Sequence, residues 1–158
     1  MLVYASPVFG VVTEVDSDTM SPALVEGTTV VIDNTYFWAL DPFRGQIVWL
    51  DGDDERTFRR IIGQPGDTVA LQDGRLILND TAIDEPYARG TGPDQPPLTL
   101  AGGDYFVLAD DRTQPDSRVW GPIPADRVYG IASIIRAANG SFVPVVHEQI
   151  WRQLPKHQ

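Results

Sequence analysis

The chain has no cysteine and a single lysine, Lys156, which lies two residues from its C-terminus. The absence of cysteine excludes disulfide bonds and thiolate metal sites, and it leaves the redox compartment undetermined. Positive charge is scarce, since 12 Lys and Arg residues stand against 22 Asp and Glu residues and give a net charge of -10. Such a charge repels phosphate backbones, so the sequence disfavours nucleic-acid binding.

Long apolar runs are also missing. A membrane-spanning helix needs about 20 consecutive apolar residues, and the nearest candidate, residues 2–12, is short and interrupted by Ser6, Pro7 and Gly10. No phosphate loop, His-rich tract or cluster of metal ligands occurs, so we predict no cofactor. The acidic run 51–55 lacks the spacing of a calcium loop and predicts a solvated hairpin tip. The 158 residues are enough for one domain with a buried core.

The secondary structure predicted from the sequence is almost entirely β. Runs rich in β-branched and aromatic residues, separated by Gly, Pro, Asn and Asp, predict strands at 8–15, 28–32, 46–50, 57–62, 68–71, 75–78, 104–108 and 128–135. Asp73-Gly74 predicts a two-residue hairpin, residues 90–97 read as a flexible excursion, and only residues 147–154 are predicted to form a short helix. The aromatic residues Tyr36, Phe37, Trp38 and Trp49 read as core, with a substrate groove or bilayer anchor as the alternative.

Three sequence boxes carry the functional information. The first, residues 16–24, reads Asp-Ser-Asp-Thr-Met-Ser-Pro-Ala-Leu. The second begins at Thr57 with Thr-Phe-Arg-Arg-Ile-Ile-Gly-Gln-Pro-Gly-Asp and continues to Glu-Pro-Tyr at 85–87; the third, from Tyr105, reads Tyr-Phe-Val-Leu-Ala-Asp-Asp-Arg and ends in Asp-Ser-Arg-Val-Trp-Gly. In this order, covering most of residues 8–135, they resemble the type I signal peptidases, membrane serine proteases that use a Ser/Lys dyad.

The resemblance implies a fold and a location. It implies an antiparallel, barrel-like β fold with little helix, in which the three boxes converge. Residues 1–158 would form a single signal-peptidase-like ectodomain, which in the full-length protein lies at the extracytoplasmic face of the cell membrane. The N-terminal membrane anchor that such proteins normally carry is absent from these residues, so the chain reads as soluble.

The two dyad positions carry unusual residues. Thr19 stands where the family has its nucleophilic serine, and Arg59 stands at the position of the general-base lysine. A lysine can be desolvated until it is neutral near physiological pH and can then accept the hydroxyl proton. An arginine with a pKa of about 13 would need on the order of 7 kcal/mol to reach its neutral form near pH 7.5.

A third departure concerns the residue that orients the base. In the family a serine in the third box hydrogen-bonds the lysine, whereas here the corresponding stretch is one residue shorter and Pro115 falls at that position. Proline offers no side-chain donor or acceptor. Nucleophile, base and orienting residue are therefore all altered, and we predict that the chain does not hydrolyse peptides. We expect Arg59 to be a fixed cation that is satisfied by a carboxylate or by backbone carbonyls.

Other parts of the site are retained. Ser17, with the backbone amide of Thr19, matches the oxyanion hole of one subgroup, although ordinary turn formation explains Ser17 equally well. Met20 is expected to form part of the substrate pocket wall. The resemblance implies that the charged residues of the third box form a salt-bridged loop that supports the site; these are Asp110, Arg112, Asp116 and Arg118.

Two functional hypotheses follow from different classes. The first is a degenerate signal peptidase homologue that binds an extended peptide, a signal-peptide-like segment, or another secreted or membrane protein. The second is an active endopeptidase with Thr19 as its nucleophile, activated by a group other than Arg59; the additional methyl group of threonine must then fit a site shaped for serine. A third hypothesis, a self-cleaving repressor-type Ser/Lys peptidase, also requires the lysine that is missing here, and the sequence contains no DNA-binding segment. We favour the first hypothesis.

Overall fold

The computed structural model describes residues 4–6, 10–35 and 41–156, with side chains described from residue 10 onward. The predictions for Tyr36, Phe37 and Trp38, and for the beginning of the first strand at 8–9, lie outside these residues. No helix within the described ranges is both long enough and apolar enough to cross a bilayer.

The larger of two antiparallel sheets carries the candidate site. Its nine strands are β1 (Tyr4–Ser6), β2 (Gly10–Glu14), β3 (Thr29–Asp33), β4 (Ile47–Asp51), β5 (Arg56–Gly63), β10 (Asp104–Leu108), β11 (Ile123–Pro124), β12 (Val128–Arg136) and β13 (Phe142–Pro144). They follow the order β1-β2-β3-β12-β4-β5-β10-β11, and β13 also pairs with β12. The expectation of a mainly antiparallel β fold is confirmed.

The smaller sheet is built around the predicted hairpin. Its four strands follow the order β8-β7-β6-β9, with β6 at Thr68–Gln72, β7 at Arg75–Leu78, β8 at Thr81–Ala82 and β9 at Gln95–Thr99. Asp73 and Gly74 connect β6 to β7 with φ values of 51° and 76°. Positive φ at both central residues is the conformation of a tight turn that matches the twist of the flanking strands, so the hairpin prediction is confirmed.

The interpretation of residues 90–97 as a flexible excursion is wrong at its C-terminal end, where Gln95 begins β9. Pro96 and Pro97 hide this strand from sequence patterns because proline cannot donate to a ladder. Strand β9 lies at the sheet edge and pairs only with β6, and the register shifts between Val69 and Leu71, opposite the two prolines. An edge position and a bulge are where a strand tolerates proline.

Helical structure is short in the described residues. The segment predicted as a helix, 147–154, contains a single 3₁₀ turn at Ile150–Gln153. Further 3₁₀ turns occur at Asp18–Met20 and Ala125–Arg127, and an α-helical turn, α1, spans Ser117–Trp120. The sequence did not predict these three elements, because each is too short to show helical periodicity.

The hydrophobic core covers both faces of the central strand β5. On one face of β5, Phe58 and Ile62 pack with Trp49 and Phe106, respectively. On the other face, Ile61 packs with Val48 and Val107. Neighbouring side chains of a strand point to opposite faces. Arg59 and Arg60 are both buried, and they therefore enter different environments.

Candidate active site

The three sequence boxes converge in space. The backbone N–H of Asp111 donates to the carbonyl oxygen of Thr19 at 2.9 Å, and the backbone N–H of Asp110 donates to the sulfur of Met20 at 3.4 Å. Nη1 of Arg59 lies 3.3 Å from Oγ1 of Thr19. Thr19 and Arg59, the residues predicted at the two dyad positions, are thus in contact, while their assignment to the dyad and their roles stay predictions.

Arg59 is held by neutral acceptors. Its Nε and Nη2 groups donate to the carbonyl oxygen of Pro115 at 2.9 and 2.7 Å. Nη1 donates to Oγ1 of Thr57 at 2.7 Å and to the carbonyl oxygen of Phe58 at 2.6 Å. The guanidinium carbon also lies 5.2 Å from the centre of the Trp120 ring. As expected for a fixed cation, backbone carbonyls accept hydrogen bonds from this group.

The environment of Arg59 does not convert it into a base. The residue is 4% exposed, and burial lowers the pKa of the guanidinium, while the negative charges of Asp116 and Asp16 oppose that shift. Hydrogen bonds from the guanidinium to two carbonyl oxygens favour the protonated form, because a charged donor makes stronger hydrogen bonds than a neutral one. Arg59 therefore stays protonated at neutral pH.

The hydroxyl groups expected to form the nucleophile and the oxyanion hole are neighbours. Oγ of Ser17 lies 3.2 Å from Oγ1 of Thr19, and both side chains are half-buried. The 3₁₀ turn Asp18–Met20 presents Thr19, and two hydrogen bonds from Arg89 to the carbonyl oxygens of Asp18 and Ser21, at 2.8 and 3.0 Å, hold this turn. The two hydroxyl groups face the same cleft as Arg59.

The structure places Met20 elsewhere than expected. Met20 is 0% exposed and belongs to the core cluster with Leu24 and Phe58. It does not line the cleft beside Thr19, which differs from the expectation that it forms the pocket wall. The cause is the tight 3₁₀ turn, which brings Thr19 to the cleft and directs the next side chain into the core.

Three buried ion pairs, which we call the ion-pair framework, surround the site. Each joins one arginine to one carboxylate through two hydrogen bonds, in the pairs Arg60–Asp110, Arg112–Glu85 and Arg118–Asp116. Two parallel N–H···O bonds fix the relative orientation of both side chains. All six side chains are at most 7% exposed. The four charged residues expected to support the site all belong to this framework.

The ion pairs of the framework do not all form within one loop, which differs from the salt-bridged loop that the resemblance implies. Only Arg118 and Asp116 pair within the third box, whereas the partners of Asp110 and Arg112 come from the second box. Asp116 also accepts from the backbone N–H of Ala109 at 3.1 Å and caps α1. Burial raises the pKa of the Asp110 carboxyl, against the opposing charge of Arg60. The pairs therefore tie the segments of the site to one another.

The cleft above Thr19 and Arg59 has a volume of about 310 Å³. Its floor contains the hydroxyl groups and the guanidinium described above, and Pro115 and Trp120 lie at one side. The loop between β4 and β5 supplies three exposed acidic side chains to its lining, namely Asp53, Asp54 and Glu55. The acidic run is a hairpin loop as expected, and its position beside the cleft was not anticipated.

Sequence reasoning missed several residues of the site. Thr57 lies two positions before Arg59 on the same strand, and the rule that such residues share a face would have found it. Glu85 and Arg60 were part of the matched boxes, but their pairing across the fold has no local signal. The carbonyl oxygen of Pro115 belongs to the backbone, which no sequence motif specifies. In the described residues, no group of three or more His, Cys, Asp and Glu is arranged to hold a metal.

Comparisons with known proteins agree with this geometry. The family model described as "Signal peptidase, peptidase S26" matches residues 1–136. Signal peptidase I S of Bacillus subtilis is 37% identical over 110 residues, 62% of this chain and 60% of that protein. Signal peptidase I of Bacillus licheniformis is 33% identical over 136 residues, 77% of this chain and 73% of that protein. The chain spans about 60% of the length of the first of these relatives.

A solved structure shows the same fold. The crystal structure of a signal peptidase I from Enterococcus faecalis V583 superposes with a TM-score of 0.52 and 28% sequence identity. The match covers 60% of this chain and 98% of that chain. The antiparallel sheets that bring the three boxes together therefore have a counterpart in a solved structure.

Proposed function

The chain belongs to the peptidase S26 family of signal peptidases, and we propose that it binds an extended peptide without hydrolysing it, at the outer face of a membrane. The observation that carries this proposal is the contact between Arg59 and Thr19 at the two dyad positions. A guanidinium that donates to two backbone carbonyls is a fixed hydrogen-bond donor. It has no lone pair with which to accept the proton of the Thr19 hydroxyl.

Peptide binding requires a different set of groups from peptide cleavage. The walls of a groove recognise a bound segment, while the dyad supplies only the chemistry, so the first can persist when the second is lost. A cleft of about 310 Å³ lies at the lower end of the range for ligand sites. This size favours a segment with small side chains near Thr19. The membrane location is carried over from the signal peptidase family.

A cleavage assay tests the catalytic half of the proposal. The substrate is a peptide with small residues before the scissile bond, and mass spectrometry detects the products. We expect no cleavage by the wild-type chain. A Thr19→Ser/Arg59→Lys variant, which carries both family residues, is assayed in parallel. The alternative, an endopeptidase with a threonine nucleophile, would be established if the wild-type chain cleaves the peptide, Thr19→Ala abolishes this cleavage and Thr99→Ala preserves it. Thr99 is a suitable control because it lies on β9 of the other sheet.

A binding experiment tests the other half. Backbone NMR spectra of the wild-type chain are recorded during titration with an acetylated Leu-Ala-Gln-Ala peptide. We expect chemical-shift changes to cluster at residues 17–20 and at Arg59. No shifts at millimolar peptide would refute peptide binding in this cleft and favour a surface for folded partner proteins.

A further inference from the structure

The guanidinium of Arg59 is a buried charge that no carboxylate contacts. Among the ion pairs of the described residues, each framework arginine meets a carboxylate, whereas Arg59 takes part in none. Its acceptors are two carbonyl oxygens and two threonine hydroxyls. Asp116, the nearby negative charge that acts most strongly on it, is already paired with Arg118. The floor of the cleft therefore carries a positive charge without a contacting counter-ion.

The donors of Arg59 are not all used. A guanidinium has five N–H donors. The hydrogen bonds to Pro115, Thr57 and Phe58 use the Nε hydrogen, both Nη1 hydrogens and one Nη2 hydrogen. The contact from Nη1 to Thr19, at 3.3 Å, is longer than a normal N–H···O bond. One Nη2 hydrogen thus has no acceptor within the described part of the chain.

Two further donors lie beside this charge. One of the hydroxyl groups of Ser17 and Thr19 donates to the other at 3.2 Å, so the pair offers one free O–H in this arrangement and two when a ligand replaces that bond. Both side chains line the cleft together with Arg59. A guanidinium flanked by two hydroxyl groups favours a carboxylate over a neutral amide carbonyl, because charge-assisted hydrogen bonds are about twice as strong as neutral ones.

We infer that this cleft binds the free C-terminal carboxylate of a peptide that ends in a small residue, with Arg59, Thr19 and Ser17 as its ligands. The inference rests on the proposed peptide-binding function and specifies the chemistry of the bound end. The ligand is then a peptide that has already been cut, and the residues that would have cut it hold its new terminus. The acidic side chains of Asp53, Asp54 and Glu55 line the same cleft and repel any carboxylate that enters it. Contacts made by the rest of the peptide must offset this repulsion, which favours a neutral or basic peptide over a small free anion.

The experiment compares two forms of one peptide. Acetyl-Leu-Ala-Gln-Ala is titrated into the chain at pH 7 as the free acid and as the C-terminal amide, and calorimetry or NMR gives each dissociation constant. We expect the acid to bind at least about tenfold more tightly, since a hydrogen bond to a charged group contributes more than a neutral one. Acetate at the same concentration is expected not to compete, because it lacks the peptide.

Variants locate the cause of the preference. Arg59→Gln keeps a donor but removes the charge, and we expect it to bring the ratio of the two affinities close to one. Arg56→Gln removes one charge from the same strand at an exposed position that does not line the cleft, and we expect the ratio to be unchanged. If Arg59→Gln does not fold, Thr19→Val serves instead, with an expected decrease of about threefold in the ratio, the difference between a hydrogen bond to a carboxylate and one to a neutral amide.

The outcomes separate this inference from the function on which it rests. Equal binding of acid and amide by wild type would overturn the carboxylate site and leave peptide binding intact. A preference that persists unchanged in Arg59→Gln, or acetate that competes as well as the peptide, would also overturn it. Binding of neither peptide would overturn both proposals.

Discussion

The ion-pair framework and the pair Thr19–Arg59 lie side by side but are built on different principles. In the framework each arginine meets a carboxylate through two hydrogen bonds, as Arg60 does with Asp110. At the dyad positions an arginine meets carbonyl oxygens and hydroxyl groups. The framework positions the chain segments, and it does so without taking part in proton transfer. The segments around the cleft are therefore held by residues other than Thr19 and Arg59.

The strongest way to break this comparison is to remove a carboxylate of the framework. Asp110→Ala leaves the guanidinium of Arg60, whose side chain is 1% exposed, without a counter-ion in the described residues; the carbonyl oxygen of Gly45 and the ring of Tyr87, 4.4 Å away, remain as partners. Removing one partner of a buried pair typically costs about 3–5 kcal/mol, because the remaining charge is uncompensated. We expect this loss in the free energy of unfolding, measured by urea denaturation at pH 7.

A matched control is Asp51→Ala, which removes a carboxylate from the exposed pair with Arg56. Exposed pairs contribute about 0–1 kcal/mol, so we expect a correspondingly small loss. If both variants lost the same stability, burial of the framework would not be what makes it structurally important.

The second prediction concerns Arg59. Arg59→Met removes the charge itself and leaves the carbonyl oxygen of Pro115 without its two donors. An unsatisfied buried acceptor costs about 1–3 kcal/mol, and no unpaired charge remains. We therefore expect urea denaturation to show a smaller loss than for Asp110→Ala. A loss as large as that of Asp110→Ala would place Arg59 in the framework and remove the distinction.

A pH titration tests the environment of His147, which the charge of the framework residue Arg60 influences. Burial, helped by the positive charge of Arg60, lowers the pKa of His147 to about 4 from 6.5, against an opposing hydrogen bond to the backbone of Ala132. The unfolded chain therefore binds more protons in this window, and the free energy of unfolding falls as pH decreases from about 6.5 to 4. Since His147 is half-buried and partly screened by solvent, we expect roughly 1–2 kcal/mol for this group.

The measurement is the difference between wild type and His147→Asn, followed by urea denaturation across this pH range. Asparagine places an oxygen near the position of Nδ1, which accepts the backbone N–H of Ile47 at 3.2 Å, and it does not titrate. The carboxylates titrate in both proteins, so their contribution cancels in the difference. A constant difference between pH 7 and 4 would contradict a buried neutral His147.

The smallest expected effect is that of Thr19→Ala. Among the described residues, the hydroxyl group makes only the contacts of 3.2 and 3.3 Å to Ser17 and Arg59, and Arg59 keeps its shorter bonds to Thr57 and Pro115. We expect a change in the free energy of unfolding of less than about 1 kcal/mol. A larger loss would show that Thr19 is retained for stability, which would weaken the proposal that it contacts a ligand.

Much of the fold could be predicted from the sequence, because the strands carry their own signals. The strands at 75–78 and 104–108 begin and end where their β-branched and aromatic runs do. The turn at Asp73-Gly74 was predictable for a similar local reason. Strand β9 was missed because its prolines contradict a strand pattern, and only the neighbouring strand β6 explains why they are tolerated.

The candidate site divides in the same way. From the sequence by itself, Thr19 and Arg59 are predicted at the dyad positions, and that arginine cannot replace lysine as a base follows from the chemistry of guanidinium alone. Only the tertiary structure decided that Arg60 pairs with Asp110, 50 residues away, and that Met20 is buried in the core. It also decided that the carbonyl oxygen of Pro115 holds Arg59. Every residue has such an oxygen, so only the path of the folded backbone selects the one that meets the guanidinium.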